Sequence, residues 1–241
     1  VVASCLFTVS EREQVVVTQL GRPIWVISGA RTEEEQKALL EEIENTNKES
    51  GLNVDVSFGA GLYYKIPFLW EATHFDNRLL AYESDPHPIT TRDKRTLIVD
   101  NFARWRITNP LRFMRNVRTE AQAQSRLDDI IYSVLRRELG QREYQEIIRT
   151  TNNIFDRELE YALSNAVSRI TVGREEINQR VTEQSAPAAR DFGVLVIDVR
   201  IRRAELPKEN KNKVYSRMQA ERQRIAMRYE EEGKAEQTKI M

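Results

Sequence analysis

The pattern of apolar and polar positions changes character several times along the chain, and each change predicts an element. Strict alternation is clearest over residues 95–107. Leu97, Val99, Ala103, Trp105 and Ile107 fall on one side, and Asp100, Arg104 and Arg106 on the other. A period of two is the mark of a strand covered on one face. Shorter β-rich stretches precede it. Val15-Val16-Val17-Thr18 is closed by the turn signal Gly21-Arg22-Pro23, and Leu62-Tyr63-Tyr64-Lys65-Ile66-Pro67-Phe68 follows the tight Gly59-Ala60-Gly61 and ends at its proline. Residues 75–81 read as one more strand, and Asp85-Pro86-His87-Pro88 as a rigid extended connection. One-sided alternation of this kind predicts a largely antiparallel sheet for the first hundred residues.

Into that sheet the pattern inserts a helix over residues 32–50. Thr32 and Glu35 have capping-box spacing, and Leu39, Leu40 and Ile43 make a thin apolar stripe among glutamates. Past Ile107 helical periods take over. Asn109-Pro110 caps and starts a short helix, and Thr119 opens a longer one with Leu127, Ile131, Val134, Leu135 and Leu139 on one face and a stop at Gly140. Tyr144, Ile147 and Ile148 lead to a further helical face made by Phe155, Leu159, Ala162, Leu163, Ala166 and Ile170. After Gly173, residues 174–190 turn Ile177 and Val181 inward, with Pro187 as a kink or restart. Gly193 releases the chain into a last strand, with Leu195, Ile197, Val199 and Ile201 on one face and Asp198, Arg200 and Arg202 on the other. Helices packed on a sheet and finished by a strand predict an α+β domain.

Residues 208–241 are mostly Lys, Arg, Glu and Gln. Their sizeable apolar side chains include Val214, Met218, Ile225 and Tyr229, spaced four, seven and four apart, close to a heptad seam. So polar a helix has little reason to enter a core or to persist alone in water, which predicts projection and packing between subunits. With no stop signal at Met241, the helix is expected to run on in a longer product.

Composition narrows the function classes. The 37 basic and 37 acidic residues cancel, which weighs against a general nucleic-acid binder. The single cysteine, Cys5, allows no internal disulfide. No run is long enough to cross a bilayer, but residues 1–7 are almost wholly apolar. They fit either a first strand or the last turns of a membrane helix. Val2-Ala3-Ser4-Cys5 also has the form of a lipoprotein cleavage box, a weak signal without its upstream segment. Chemistry is sparse. His74 and His87 lie on different elements without a second ligand at metal spacing, there is no P-loop, and Asp128-Asp129 diverge on a helix. Serines and lysines are plentiful, but no local motif marks a Ser–Lys dyad. The expectation is a protein that is not an enzyme, with no catalytic residue, metal or cofactor. Arg104, Arg106, Arg112, Arg115 and Arg118 form a basic cluster, read either as a contact for anionic lipid or a neighbouring subunit, or as a solvated face with local acidic partners.

Taken in order, these blocks resemble the SPFH (band 7) family of stomatins, prohibitins, flotillins and the bacterial HflK and HflC. Ser10-Glu11-Arg12-Glu13-Gln14-Val15-Val16-Val17 with Leu20-Gly21-Arg22-Pro23 is similar to the family's opening strand, and Gly61-Leu62-Tyr63-Tyr64-Lys65-Ile66-Pro67-Phe68 to its Gly-Leu turn and strand. Asp93-Lys94-Arg95-Thr96-Leu97-Ile98-Val99-Asp100 running into Trp105-Arg106-Ile107 is especially similar to HflC. Residues 193–201, Leu206-Pro207 and Tyr215-Ser216-Arg217-Met218-Gln219-Ala220-Glu221-Arg222 follow the last strand and the start of a coiled coil. Two departures stand out: residues 32–50 form a longer insertion than the family leads one to expect, and the region before Gly193 lacks the long insertion of some HflC proteins.

The resemblance implies four parts: residues 1–9 as the remnant of an N-terminal membrane anchor, 10–108 as a first SPFH subdomain, 109–205 as a second with its strand at 194–202, and 206–241 as the start of a coiled-coil helix. It implies a scaffold that forms a large ring or cage with itself and an HflK-like partner, and that regulates the membrane-bound AAA protease FtsH. Its place would be the bacterial inner membrane, with a single-pass anchor and the bulk periplasmic. Val1, Val2, Leu6, Phe7 and Phe68 would then be membrane-proximal. Val214, Met218, Arg222, Ile225 and Tyr229 would line an oligomer interface, and Arg104, Arg106 and Arg112 are candidate lipid or subunit contacts. A lipid-microdomain scaffold without a protease, and a hydrolase, are the alternatives.

Overall fold

The computed structural model describes residues 5–29, 32–148 and 172–207, together with helical positions 216, 219–220, 222–224 and 226–229. The helical face expected from Phe155 to Ile170 and the seam residues Val214, Met218 and Ile225 lie outside the described residues, as do Val1 and Val2.

Three sheets carry the β part. The first has the order β4-β3-β2-β6, from Asp55–Phe58, Arg22–Ser28, Glu13–Gln19 and Trp70–Asp76. Its central strand β2 buries Val15, Val16 and Val17 in succession, because both of its faces are covered. Val16 joins the main core, whereas Val15 and Val17 join a smaller one with Val9 and Ile27. That smaller core lies under a two-stranded sheet, β1 (Leu6–Val9) against β5 (Gly61–Tyr64). Phe7 stacks on Tyr63 at 5.9 Å, and Tyr63 meets the edge of Trp25 at 5.4 Å.

The largest departure from the sequence reading is in this first sheet. β3 and β4 pair in parallel, and α1 (Glu33–Ser50) is the crossover that joins them rather than an insertion into an antiparallel meander. Parallel neighbours need such a connection, since no tight hairpin can return the chain in the same direction. The helix begins where its cap places it: Thr32 Oγ1 accepts from Glu35 N, and Glu33, Glu34 and Glu35 sit favourably at the positive end of the helix dipole. Leu39, Ile43 and Thr46 face the sheet, while Leu40 is left outside.

The third sheet centres on β9 (Thr96–Ile107), flanked by β10 (Val194–Glu205) on one side and by β7 (Leu80–Glu83) and β8 (His87–Thr90) on the other. Leu97, Val99, Ala103, Trp105 and Ile107 are buried as the alternation requires. α2 (Pro110–Asn116), α3 (Glu120–Gly140), α4 (Tyr144–Ile148) and α5 (Arg174–Arg190) follow, α3 turning Leu127, Ile131, Val134, Leu135 and Leu139 inward. Asn109 and Thr119 cap α2 and α3 through their side chains. α5 runs through Pro187 without restarting, and it covers the edge of β10: Val199 N donates to Thr182 Oγ1 at 2.9 Å and Ile201 N to Asn178 Oδ1 at 3.1 Å. One core of buried side chains runs from Val16, Leu39 and Phe75 through Phe113 to Leu127 and Val181, so the chain's two halves share it.

Three further corrections have local causes. The strand expected over residues 75–81 is broken after Asp76, whose carboxylate accepts from Arg78 N at 2.7 Å and turns the chain. The connection at residues 85–88 is in part a strand, because β8 begins at His87. In β10, Val196 pairs with Trp105 and Asp198 with Arg104, so Ile197 bulges without a partner across the ladder. The extra residue reverses the face: Val194 and Val196 are buried before it, Val199 and Ile201 after it, and Ile197 points outward instead of inward.

Candidate membrane and subunit surfaces

Leu6 and Phe7, expected at the end of a membrane helix, are strand residues. Phe7 faces the smaller core, half-buried, and packs on Tyr63 and His74. Leu6 lies on the other side of the ribbon, opposite Tyr64, and both are exposed together with Leu62. The chain continues from this ribbon into a loop at one end of the first sheet, where Ile66, Phe68 and Leu69 are exposed. Leu20 N donates to Leu69 O there, which brings the β2–β3 turn alongside the loop.

Two residues of this apolar rim are unusual in backbone as well as in exposure. Leu20 is 81% exposed with φ +50, and Phe68 is 98% exposed with φ +69. Leu20-Gly21 is the two-residue loop of a hairpin in which Gln19 pairs with Arg22, and both loop residues have positive φ. Glycine, asparagine or aspartate suits the first of those positions. A bulky apolar residue in the left-handed region is strained, and one left in water gains nothing from packing. Of the rim, the sequence pointed to Leu6 and Phe68. Leu20, Leu62, Tyr64, Ile66 and Leu69 were missed because by type they read as ordinary strand and core residues. The usable signal was a leucine at the first position of a two-residue hairpin loop.

The three arginines named as lipid or subunit contacts all find partners inside the chain. Arg104 Nη2 donates to Asp198 Oδ2 at 2.9 Å, and Arg200 Nε donates to the same oxygen at 2.8 Å. Burial alone would raise the Asp198 carboxyl, but these two hydrogen bonds and the charges behind them hold it below the usual carboxylate range. Arg106 Nη2 donates to Glu35 Oε1 at 2.6 Å, and Arg112 Nε donates to Thr46 Oγ1 at 3.0 Å with Glu49 nearby at 3.6 Å. Arg115 donates to Ser50 Oγ. The reading with local acidic partners therefore describes Arg104, Arg106 and Arg112, and the last two act as clips on the crossover helix. Arg118 and Arg126 show no such bond among the described residues.

Of the proposed oligomer seam, Arg222 and Tyr229 are described; both are exposed on helical segments, and Arg228 lies over the Tyr229 ring at 5.7 Å.

The histidines are tied to neighbours on other elements. His74 Nδ1 is 3.5 Å from Glu13, and His87 Nε2 is 3.6 Å from Asp128 with its ring on Tyr132. Burial, helped by the Asp128 charge, pushes the Tyr82 hydroxyl well above the usual tyrosine range and keeps it neutral. Among the described residues no group of three or more His, Cys, Asp and Glu is placed to hold a metal ion, and no helix is long and apolar enough to cross a membrane.

Residues 7–237 match the model of the SPFH domain / Band 7 family. Among curated proteins, the chain is 30% identical over 191 residues to Protein HflC of Treponema pallidum, covering 72% of this chain and 57% of that protein. It is 30% identical over 190 residues to Protein HflC of Borreliella burgdorferi, covering 76% of this chain and 59% of that protein. It is 26% identical over 210 residues to the Modulator of FtsH protease HflC of Escherichia coli, covering 78% of this chain and 62% of that protein. The chain thus spans about three fifths of the length of these relatives. A family match across nearly the whole chain, on a fold that sets α+β layers behind an apolar rim, makes this chain a member of the SPFH domain / Band 7 family, of the HflC type.

Proposed function

We propose that this chain is a non-enzymatic scaffold subunit that lies against a bilayer through its apolar rim and assembles with copies of itself and an HflK-like partner to regulate an FtsH-type membrane protease. The observation that carries the membrane part is the pair Leu20 and Phe68, large apolar side chains held in left-handed backbone at one end of the first sheet, where nothing among the described residues covers them. An exposed apolar surface of this kind suits a non-aqueous partner. β1 enters beside the same rim, since Lys65 N donates to Cys5 O at 2.7 Å, and that path suits an anchor preceding the strand. On this reading the membrane is the bacterial inner membrane and the bulk of the chain is periplasmic.

The protease part rests on the name of the Escherichia coli relative, a modulator of FtsH protease. Assembly rests on the polar helix beyond Pro207, which has too few apolar residues to join a core, with Arg222 and Tyr229 exposed among its described positions. The test is sedimentation of the full-length protein in mild detergent, alone and with an HflK-like subunit, followed by capture of FtsH. The expected result is a large assembly that retains the protease and shrinks when residues 208–241 are removed. A full-length protein that remains monomeric beside its partner overturns the scaffold reading. A large assembly that never retains the protease overturns only the regulatory part.

A further inference from the structure

The arginines left over from the intramolecular pairs meet at one place. α2 ends at Asn116, the chain turns through Val117 and Arg118, and α3 starts after its cap at Thr119. Between that turn and α3 lies a groove of about 530 Å3, walled by Arg115, Asn116 and Arg118 on one side and by Gln122, Arg126 and Asp129 on the other. Gln122, Arg126 and Asp129 follow one another at helical spacing, so they share a face of α3. The groove thus holds three guanidinium groups against one carboxylate. Arg115 spends a donor on the neutral Ser50 hydroxyl, and the guanidinium groups of Arg118 and Arg126 show no hydrogen bond or ion pair among the described residues.

Arg118 is also in the wrong place for its backbone. Its φ is +74, and its N–H donates to Phe113 O at 3.0 Å, closing the C-terminal end of α2. Glycine is the residue that occupies such a position without strain. An arginine there costs the fold stability and returns no side-chain hydrogen bond or ion pair among the described residues, which is the pattern of a residue kept for binding. Nearby, the α3 N-terminus adds partial positive charge from its free amides.

We propose that this groove binds a small phosphate-bearing anion, held by the guanidinium groups of Arg118 and Arg126, with Asn116 and Gln122 as neutral donors and Asp129 receiving a ligand hydroxyl. Planar guanidinium groups pair with phosphate oxygens in fixed geometry, which suits phosphate better than a diffuse anion atmosphere does. The ligand is a free solute rather than a lipid headgroup. α2 packs Phe113 on Phe75 at 5.3 Å, and Phe75 pairs with Gln14, whereas the apolar rim lies beyond Gln19 and Trp70 at the other end of the same strands. Five residues of strand separate Phe75 from Trp70, so Phe113 seats α2 roughly 17 Å along the strands from the rim end.

The experiment is calorimetric titration of the chain with pyrophosphate, against sodium chloride of matched ionic strength, for the parent and for Arg118→Gly and Arg126→Gln. The expected result is saturable one-site binding that each substitution weakens at least tenfold. Arg118→Gly is expected to unfold at a urea concentration no lower than the parent, which separates lost binding from lost structure. No saturation beyond the chloride control overturns the proposal, and so does an affinity that both variants leave unchanged. A second arm uses phosphatidylglycerol vesicles and a Phe68→Asp background to silence the rim. Vesicle binding lost with Arg118→Gly, in a protein that ignores pyrophosphate, overturns the free-solute assignment in favour of a lipid headgroup.

Discussion

Arg106 donates to Glu35 across 2.6 Å, joining the end of β9 to the first turn of the crossover helix α1. Both side chains are only partly exposed, and Arg106 Nε is buried without a hydrogen bond, so the guanidinium depends on that one carboxylate for its charge. Removing the acid leaves a half-buried cation, which is costlier than losing the pair as a whole. Glu35→Gln is expected to lower stability by about 1–2 kcal/mol in urea unfolding. Arg106→Met placed on top of it is expected to recover part of that loss. A double variant that is less stable than the sum of the two single ones contradicts this account.

Gly193 fixes the seam between β10 and α2. Its carbonyl accepts from both Thr108 N and Asn109 N, its φ is +75, and a β-carbon would run into the Asn109 carbonyl oxygen, with Phe113 N only 3.0 Å away. Gly51, which ends α1 at φ +62, has open space around it. The pair separates two penalties. Gly51→Ala is expected to cost about 1 kcal/mol, from backbone strain alone. Gly193→Ala adds a clash with backbone that cannot move aside, and is expected to cost about 3 kcal/mol or more. Urea midpoints measured side by side check the contrast, and equal losses would show that the clash is relieved.

What the sequence made legible was local. The caps at Thr32, Asn109 and Thr119 need only a side chain and an amide three residues on, and the alternation of β9 needs only its own twelve residues. The parallel pairing of β3 with β4 depends on residues that meet across a whole helix, so periodicity alone favoured an antiparallel sheet. The bulge at Ile197 is a single added residue, invisible in composition, yet it turns the neighbouring apolar side chains from one face to the other. The partners of the arginines were hidden for the same non-local reason: Arg104 and Asp198 are 94 residues apart in sequence and meet only because β9 and β10 pair. The rim was half seen, because residue type does not reveal whether a leucine or a phenylalanine has anything to pack against.

The Asp198 cluster predicts an acid limb in stability. Its carboxyl is held below the usual range by Arg200 and Arg104, outweighing burial, so the folded state favours the ionised form. The contribution is present above the ordinary carboxylate range and fades as pH falls through the lower, folded-state value. Asp198→Asn is therefore expected to be less stable than the parent near neutral pH, with the gap closing on acidification. Thermal midpoints collected from pH 7 down to about pH 3 span the ordinary carboxylate range. A gap that stays constant down to the acid end would exclude ionisation of Asp198 as its source.

The rim gives the sharpest separation of function from fold. Phe68 contributes almost nothing to packing at 98% exposure, and its φ of +69 strains the backbone. Phe68→Gly is therefore expected to fold at least as stably as the parent. Inserting that ring into a bilayer gains about 2 kcal/mol, which corresponds to roughly thirtyfold in vesicle partitioning. Leu20 stands in the same relation to the β2–β3 turn, where Leu20→Asn supplies a residue that tolerates the left-handed position. Each variant is expected to weaken flotation with liposomes while leaving the urea midpoint unchanged or higher, and the two together to weaken it further, as the proposal that both side chains enter one bilayer requires. Flotation that survives the double substitution would mean that this face meets something other than lipid, and the strain at Leu20 and Phe68 would then have to be accounted for by a protein partner.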